Sequence, residues 1–295
     1  MSKTKNSPKS SATELVTISH PEKILFPQSN ITKQEVIDYY TKIAPFMIPI
    51  VQNHLIVMHR FPQGISKEGF YHKQIPDYFP SWIPRKTIQL KKGVPQTLVI
   101  INSQDSLTYL ANQDVLVFHT WLSPISSIEK PDRIVFDLDP AQHDIQTMHS
   151  VLKKLKKMIE QHGLTPFLMT TGSRGYHVVI PIIAQHSFLK VHDFAKKLAT
   201  QFAEKYPDQL TIQLNIKARG GKIFVDYLRN SYGQTSVACY SLRALPKAPV
   251  ATPLDWNELS KSTPQKYTIK NIFKRLSRKK NIWKNFKTSA KKLKI

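Results

Sequence analysis

Two rhythms of apolar and polar residues alternate along the chain. Short runs of β-forming residues at 55–58, 96–101, 115–119, 134–138, 166–170, 176–183 and 223–228 predict strands. Between them, apolar residues recur every three or four positions and predict helices. Thr32 opens the first helix, Glu35 completes a capping box, and Ile31 can pack on Val36 as a hydrophobic staple. Val36, Ile37, Tyr40 and Ile43 carry this helix to Ala44. Residues 106–113 predict a short second helix. Asp144 can cap a third, with Ile145, Met148, Val151, Leu152, Leu155, Met158 and Ile159 on one face and Gly163 at its end. Val191, Phe194, Ala195, Leu198 and Phe202 mark a fourth, and a basic hairpin around Gly220 and Gly221 feeds the last strand. This order predicts an α+β fold whose sheet carries polar groups on one face.

Length and charge narrow the class. A chain of 295 residues can bury a full core, as one large domain or two. Its 43 Lys and Arg against 20 Asp and Glu give +23, an excess that points to a polyanionic partner, most simply nucleic acid. Twelve of those cations fall after residue 265 with no acid among them, which still leaves +11 on residues 1–265. The body is therefore basic in its own right. Cys239, the single cysteine, excludes an internal disulfide and suits a reducing, cytoplasmic setting beside the nucleoid. Residues 1–12, rich in Lys and Ser, lack the apolar stretch of a signal peptide and read as a disordered basic arm. The apolar run at 46–51 is too short to span a bilayer and is cut by Pro49, so no membrane partner is expected. In the tail, Ile269, Ile272, Phe273, Leu276, Ile282, Trp283 and Phe286 can anchor a basic segment on the body. The division expected is one catalytic domain over residues 13–286 and a frayed basic end over 287–295.

The candidate chemistry begins in the strand that ends at Pro140. Alternation puts Asp137 and Asp139 on one face and turns Leu138 into the core. Two adjacent carboxylates raise each other's pKa, and a divalent cation with a preference for oxygen ligands relieves that repulsion. Solvated strand ends carry the same Asp-x-Asp pattern. Phosphatases of the haloacid dehalogenase type also share it, but continue with Gly and then Thr or Val where this chain has Pro140 and Ala141. Asp226, flanked by Phe224 and Leu228 on its strand face, is costly to bury unless it is paired with a cation or metal-bound. A salt bridge would satisfy it alone; beside Asp137 and Asp139 it can complete a metal site. Thr171-Gly172-Ser173-Arg174-Gly175-Tyr176-His177 is a glycine-containing turn whose backbone N–H groups can face an anion. Ser173, Arg174 and His177 add donors.

Taken in order, these segments resemble the archaeo-eukaryotic primase superfamily, specifically the polymerase domain of bacterial DNA ligase D. The resemblance rests on residues 20–27 with Lys33, 60–62, 70–73, 119–121, 135–140, 171–177, 222–230 and 238–253. They are collinear from about residue 15 to 285, which disfavours the phosphatase reading. The resemblance implies a primase-polymerase fold: an RRM-like catalytic sheet flanked by helices, with a second, smaller sheet and helical part. It also implies a template-directed nucleotidyl transferase that uses NTP or dNTP and two Mn²⁺ or Mg²⁺ ions, Mn²⁺ favoured. Asp137, Asp139 and Asp226 match its catalytic, metal-binding acids. Thr171, Ser173, Arg174 and His177 match its triphosphate turn, and His119, Arg219, Arg229 and Arg243 further positions at the nucleotide. Lys23 and Lys33, with His20, match the pocket for a DNA 5′-phosphate. Phe70 and Tyr71 match the aromatic pair that stacks on the template.

The chain departs from that pattern in places. The family usually has Ser at Thr171, often Lys at Arg174, Asn at His20 and commonly Pro at Cys239. The family domain is usually fused to a ligase, which does not fit in 295 residues, so a separate ATP-dependent ligase and Ku are the expected partners at 5′-phosphorylated breaks or gaps. Two other functions share part of the pattern: a primase that starts chains without a primer, and a catalytically idle module that only binds DNA ends. Lys23, Lys33 and the Phe70–Tyr71 pair favour end binding over initiation. Three intact acids argue against idleness.

Overall fold

Ile134, Phe136 and Leu138 lie in one apolar core, while Val135 and Asp137 lie on the other face of the same strand. That alternation sets the layers of the molecule. The structure, a computed structural model, describes residues 16–89, 93–140, 144–279 and 282–295. The basic arm expected at 1–12 lies outside them.

A small hairpin, β1 (Ile24–Phe26) and β2 (Ile31–Thr32), leads into α1 (Lys33–Val51). Strands β3 (His54–Arg60), β4 (Phe70–His72), β5 (Arg85–Gln89) and β6 (Pro95–Ile100) precede α2 (Gln104–Asn112) and β7 (Val115–Pro124). There follow β8 (Arg133–Asp139), α3 (Ile145–Gln161), β9 (Phe167–Thr170), β10 (Tyr176–Pro181), α4 (Phe188–Lys205), β11 (Leu210–Thr211) and β12 (Ile223–Asp226). Then β13 (Thr235–Val237) and β14 (Pro253–Leu254) return one strand to each sheet, and α5 (Ile272–Leu276) begins the tail.

The acid-bearing sheet has the order β11-β12-β8-β10-β9-β14. Its outer face packs Ile134, Phe136, Leu138 and Val178 against Met148, Leu152 and Leu155 of α3 and Val191, Leu198 and Phe202 of α4. The second sheet has the order β13-β7-β3-β6-β5, with β4 added on β3. One of its faces joins α1 and α2 in the largest core; the other carries a smaller cluster of Leu55, Val57, Leu98 and Trp121. Among the described residues no helix is long and apolar enough to cross a membrane.

The fold is α+β, as the pattern predicts, with four instructive differences. The second sheet is not the smaller: both have six strands once β4 is counted. Helix α1 does not stop at Ala44 but runs through Pro45 and Pro49 to Val51. Burial of Met47 and Val51 outweighs the lost backbone bonds. The expected basic hairpin is not one, because β11 pairs parallel with β12 and residues 212–222 form the connection between them. Nor does the tail fray after Phe286. Leu293 is buried in the α3/α4 core, and Ile183 donates its N–H to the Lys291 carbonyl at 3.0 Å. Upstream, Trp283 and Phe286 stack in parallel at 5.1 Å beside Phe167.

Strand β12 ends at Asp226, which leaves the β8 backbone at Val135 without a strand partner on that side. Asn230 supplies one. Its Oδ1 accepts from the Val135 N–H at 2.8 Å, and its Nδ2 donates to the carbonyls of Val135 (2.8 Å) and Tyr227 (2.7 Å). The side chain is wholly buried. Asn230→Ala strands buried polar groups and should cost about 2–3 kcal/mol in denaturant unfolding. A loss below about 0.5 kcal/mol would mean that water replaces the amide.

Candidate active site

The register of four strands builds the site. Met169 of β9, His177 of β10, Asp137 of β8 and Asp226 of β12 stand side by side in one row. Asp139 pairs with Phe224 one step along, so it shares the face of Asp137. All three sequence-predicted acids therefore come together at one end of the sheet.

Their environments differ. Asp137 is 6% exposed, and its Oδ2 lies 3.3 Å from His177 Nε2 and 3.2 Å from an Arg229 terminal nitrogen. Burial alone would raise this carboxyl, but His177 and then Arg229 outweigh it and hold it at about 2. Asp139 is pushed up by burial and by the charge of Asp137. Asp226 is also pushed up, first by burial and then by Asp137, although the Leu228 N–H donates to its Oδ1 at 2.7 Å. Arg229 Nε sits 3.9 Å from Asp226 Oδ2, so one guanidinium lies between two of the acids.

A cavity of about 230 Å³ opens above this row. Asp137, Asp139, Thr171, Ser173, Arg174 and His177 line it from the acid-bearing sheet and its turn. Tyr71, His119, Arg229, Val237 and Arg243 line the rest. Burial holds His119 well below its usual pKa, and Arg243, His59 and Arg229 push the same way, so its imidazole is neutral. Burial lowers Arg243 too, while Asp137 and Tyr71 draw it back up.

The turn at 171–175 is held from within. Thr171 Oγ1 donates to the Gly175 carbonyl and accepts from the N–H groups of Ser173 and Gly175, at 3.0–3.2 Å. Its hydroxyl is spent on the turn, so Thr171 shapes the anion site rather than contributing a free donor. Gly172 has φ +68°, and a Cβ there would meet Arg243 Cγ at 2.8 Å. At Gly175 a Cβ would meet the Leu138 carbonyl at 2.1 Å and Asp139 at 2.7 Å. The turn can lie against the acid strand only with glycine there.

Other expected residues fall elsewhere. Arg219 stacks on Phe224 at 3.7 Å and donates to the carbonyls of Gln213 and Leu214; it does not line the cavity. Phe70 and Tyr71 are both exposed, but as neighbours on β4 they point to opposite faces. Tyr71 stacks on His59 at 4.1 Å and faces His119. Phe70 packs near Arg60 and His72 on the far side. Lys23 and Lys33 do converge, with Lys33 only 3% exposed, but both ammonium groups lie against Asp114. The first N–H groups of α1 are also taken: Lys33 donates to the Lys23 carbonyl and Gln34 to that of Pro21. His20, at φ 51°, is exposed beside this cluster. Sequence reasoning missed His59, Asp114 and Asn230 as site-building residues; Gly175, already placed in the turn, shows here why that position must be glycine.

Among the described residues, no cluster of three or more His, Cys, Asp or Glu stands ready as a metal cage. Arg229 and His177 both occupy Oδ2 of Asp137 instead. The donor set still fits a divalent cation. Asp137 Oδ1 is buried without a hydrogen-bond partner, and both neighbouring carboxyls are raised by burial and by the charge of Asp137, which a cation would relieve.

Comparisons with known proteins bear on the chain as a whole. A model of the family described as LigD, primase-polymerase domain, matches residues 32–283. The multifunctional non-homologous end joining protein LigD of Mycolicibacterium smegmatis is 32% identical over 250 residues, 84% of this chain and 33% of that protein. Its Pseudomonas aeruginosa counterpart is 32% identical over 249 residues, 84% of this chain and 30% of that protein. The chain thus spans about a third of the length of these relatives. The solved polymerase domain of Mycobacterium tuberculosis ligase D, in complex with DNA, superposes with a TM-score of 0.87 at 27% identity, covering 93% of this chain and 99% of that one.

Two tests follow from the site alone. Gly175→Ala should destabilise the fold by about 1–3 kcal/mol and displace the turn, visible in thermal unfolding. In the metal-free protein, carboxyl NMR should find Asp139 and Asp226 titrating above the usual range and Asp137 far below it. The depressed Asp137 adds stability that is complete above about pH 4 and is lost as pH falls through its folded value near 2. Asp139 and Asp226 act in the opposite sense, costing stability once ionised. Three carboxyls titrating together near pH 4 would contradict the arrangement.

Proposed function

Because the chain belongs to the LigD primase-polymerase domain family, we propose that it is a template-dependent nucleotidyl transferase. On this reading it binds 5′-phosphorylated DNA ends and fills gaps or extends 3′ ends during non-homologous end joining. The observation that carries the proposal is a pair of acids, Asp137 and Asp139, facing a cavity also lined by Arg174, Arg229 and Arg243, with Asp226 beside Asp137 in the strand register. An end-bridging Ku and an ATP-dependent ligase activity are the partners such a reaction needs.

The chemistry follows from the charge layout. Asp137, Asp139 and Asp226 would hold the two divalent cations, Mn²⁺ or Mg²⁺, which when bound lower the pKa of a primer 3′-hydroxyl and stabilise the leaving pyrophosphate. Arg174 and Arg243 bind and orient the triphosphate by charge-assisted hydrogen bonds. The Thr171-centred turn, braced by its own hydrogen bonds, holds Ser173 and Arg174 at the cavity wall facing the same anion. His177 spends Nε2 on Asp137 and keeps Nδ1 unpartnered, so one ring fixes the carboxylate and retains a polar atom for the substrate. Neutral His119 and the exposed face of Tyr71 meet the nucleoside without adding charge. Stacking on Tyr71 is tolerant of base identity, as filling arbitrary gaps requires.

The experiment is nucleotide incorporation on a gapped duplex with a 5′-phosphate. Asp137→Ala or Asp139→Ala should lower the rate by about three orders of magnitude or more, with DNA affinity changed by less than about twofold. Near-wild-type incorporation by either variant would remove the proposed mechanism. His177→Ala should raise the apparent KM for nucleotide about tenfold; an unchanged KM would leave His177 a purely structural residue.

A further inference from the structure

We propose that Asp114 is a specificity-determining counter-ion, which holds the end-binding lysines in the free protein and is displaced from them by the DNA 5′-phosphate. The inference rests on the reading of Lys23 and Lys33 as the end-binding pair. Three separate pieces of chain meet here: the loop before β1, the first turn of α1 and the turn after α2. Lys23 Nζ lies 3.0 Å from Asp114 Oδ2, and Lys33 Nζ lies 3.8 Å from Oδ1. Lys33 Nζ also donates to Ser19 Oγ at 3.1 Å, and Asn112 pins Ser19 in turn.

The carboxylate is held loosely enough to be exchanged. Asp114 is 9% exposed, yet its Oδ1 has no hydrogen-bond partner. It therefore holds Lys33 by charge alone. Lys33 needs such an anion: burial pulls its pKa below the ordinary lysine value, and Asp114 is the first group that draws it back. An anion must be present whether or not DNA is bound, and the carboxylate fills that need in the free state.

Charge decides the exchange. Lys23, Lys33 and Asp114 sum to +1, and Arg60, near enough to act on Lys33, adds a further positive charge to the cluster. A 5′-hydroxyl brings no charge to it. A terminal phosphate brings about −1.5 to −2 at pH 7, more than the single charge of the carboxylate it displaces. The phosphate therefore wins both ammonium groups, against the repulsion of the displaced Asp114. Asp114 thus lowers the affinity for a phosphorylated end while keeping the pocket assembled without one.

Replacing Asp114 with Asn keeps the shape and suits the left-handed backbone at this position, φ 59°. The measurement is fluorescence anisotropy with a gapped duplex bearing a 5′-phosphate or a 5′-hydroxyl. Asp114→Asn should tighten binding of the phosphorylated gap by about three- to tenfold and of the hydroxyl gap by less than about twofold. The same substitution in a Lys33→Ala background should show no such gain. Asp114→Gly, also suited to this backbone, carries the same expectation if the Asn variant folds poorly. Unchanged or weaker binding of the phosphorylated gap by folded variants would overturn the inference. A wild-type protein that binds both ends equally would sink the lysine pocket itself, which is a separate failure.

Discussion

A charged group at Asp137 can be buried because two nitrogen groups, His177 and Arg229, meet its carboxylate. His177 and Asp226 are its direct partners on the neighbouring strands, and Arg229 reaches back from the residues just after β12. A one-residue slip of β8 would turn Asp137 into the apolar layer under α3 and α4, at a cost that no hydrogen bond there could offset. The reverse face of the sheet, where Ile134, Phe136 and Leu138 meet those helices, is therefore what positions the chemistry. Asn230 extends the same control past the end of β12, by giving β8 the hydrogen bonds of a strand that is no longer there.

From this row follows the division of labour among the acids. Asp137 is already paired and stays ionised; Asp139 and Asp226 are less fully compensated, and burial with the charge of Asp137 raises both. Such a site is incomplete electrostatically, and its deficit is for positive charge. Around it, Arg174 and Arg243 leave a surplus of positive charge facing outward into the cavity. The two imbalances are complementary to the two parts of a metal-bound polyanion, cation below and phosphates above. A salt-bridged structural cluster has no reason to leave both imbalances open.

The sequence made legible what depends on period and pairing of residue types. Strand alternation placed Asp137 and Asp139 together, and the Thr32–Glu35 capping box is present in the structure. What it hid depends on three-dimensional crowding. Nothing local says that α1 survives two prolines, since the burial of Met47 and Val51 that pulls it through is decided by distant residues. Thr171 looks like a phosphate donor until its hydroxyl is seen bonded three times within its own turn. Asp114 reads as an ordinary turn residue, because its partners lie roughly eighty and ninety positions away. Phe70 and Tyr71 look like a pair for the same reason that they cannot be one: adjacent residues on a strand face opposite ways.

That last point joins the two candidate sites. Tyr71 belongs to the cavity above the acids, and Phe70 to the face that carries Arg60. Arg60 in turn lies close enough to Lys33 to depress its pKa, which puts Phe70 on the side of the lysine cluster. A single three-residue strand thus separates the place where a phosphorylated end is proposed to bind from the place where a nucleotide is proposed to react. Among the described residues, strand β4 pairs only with β3, which leaves its other edge without a strand partner. The two candidate sites thus lie toward opposite faces of β4, which makes their separation a property of the backbone rather than of any flexible side chain.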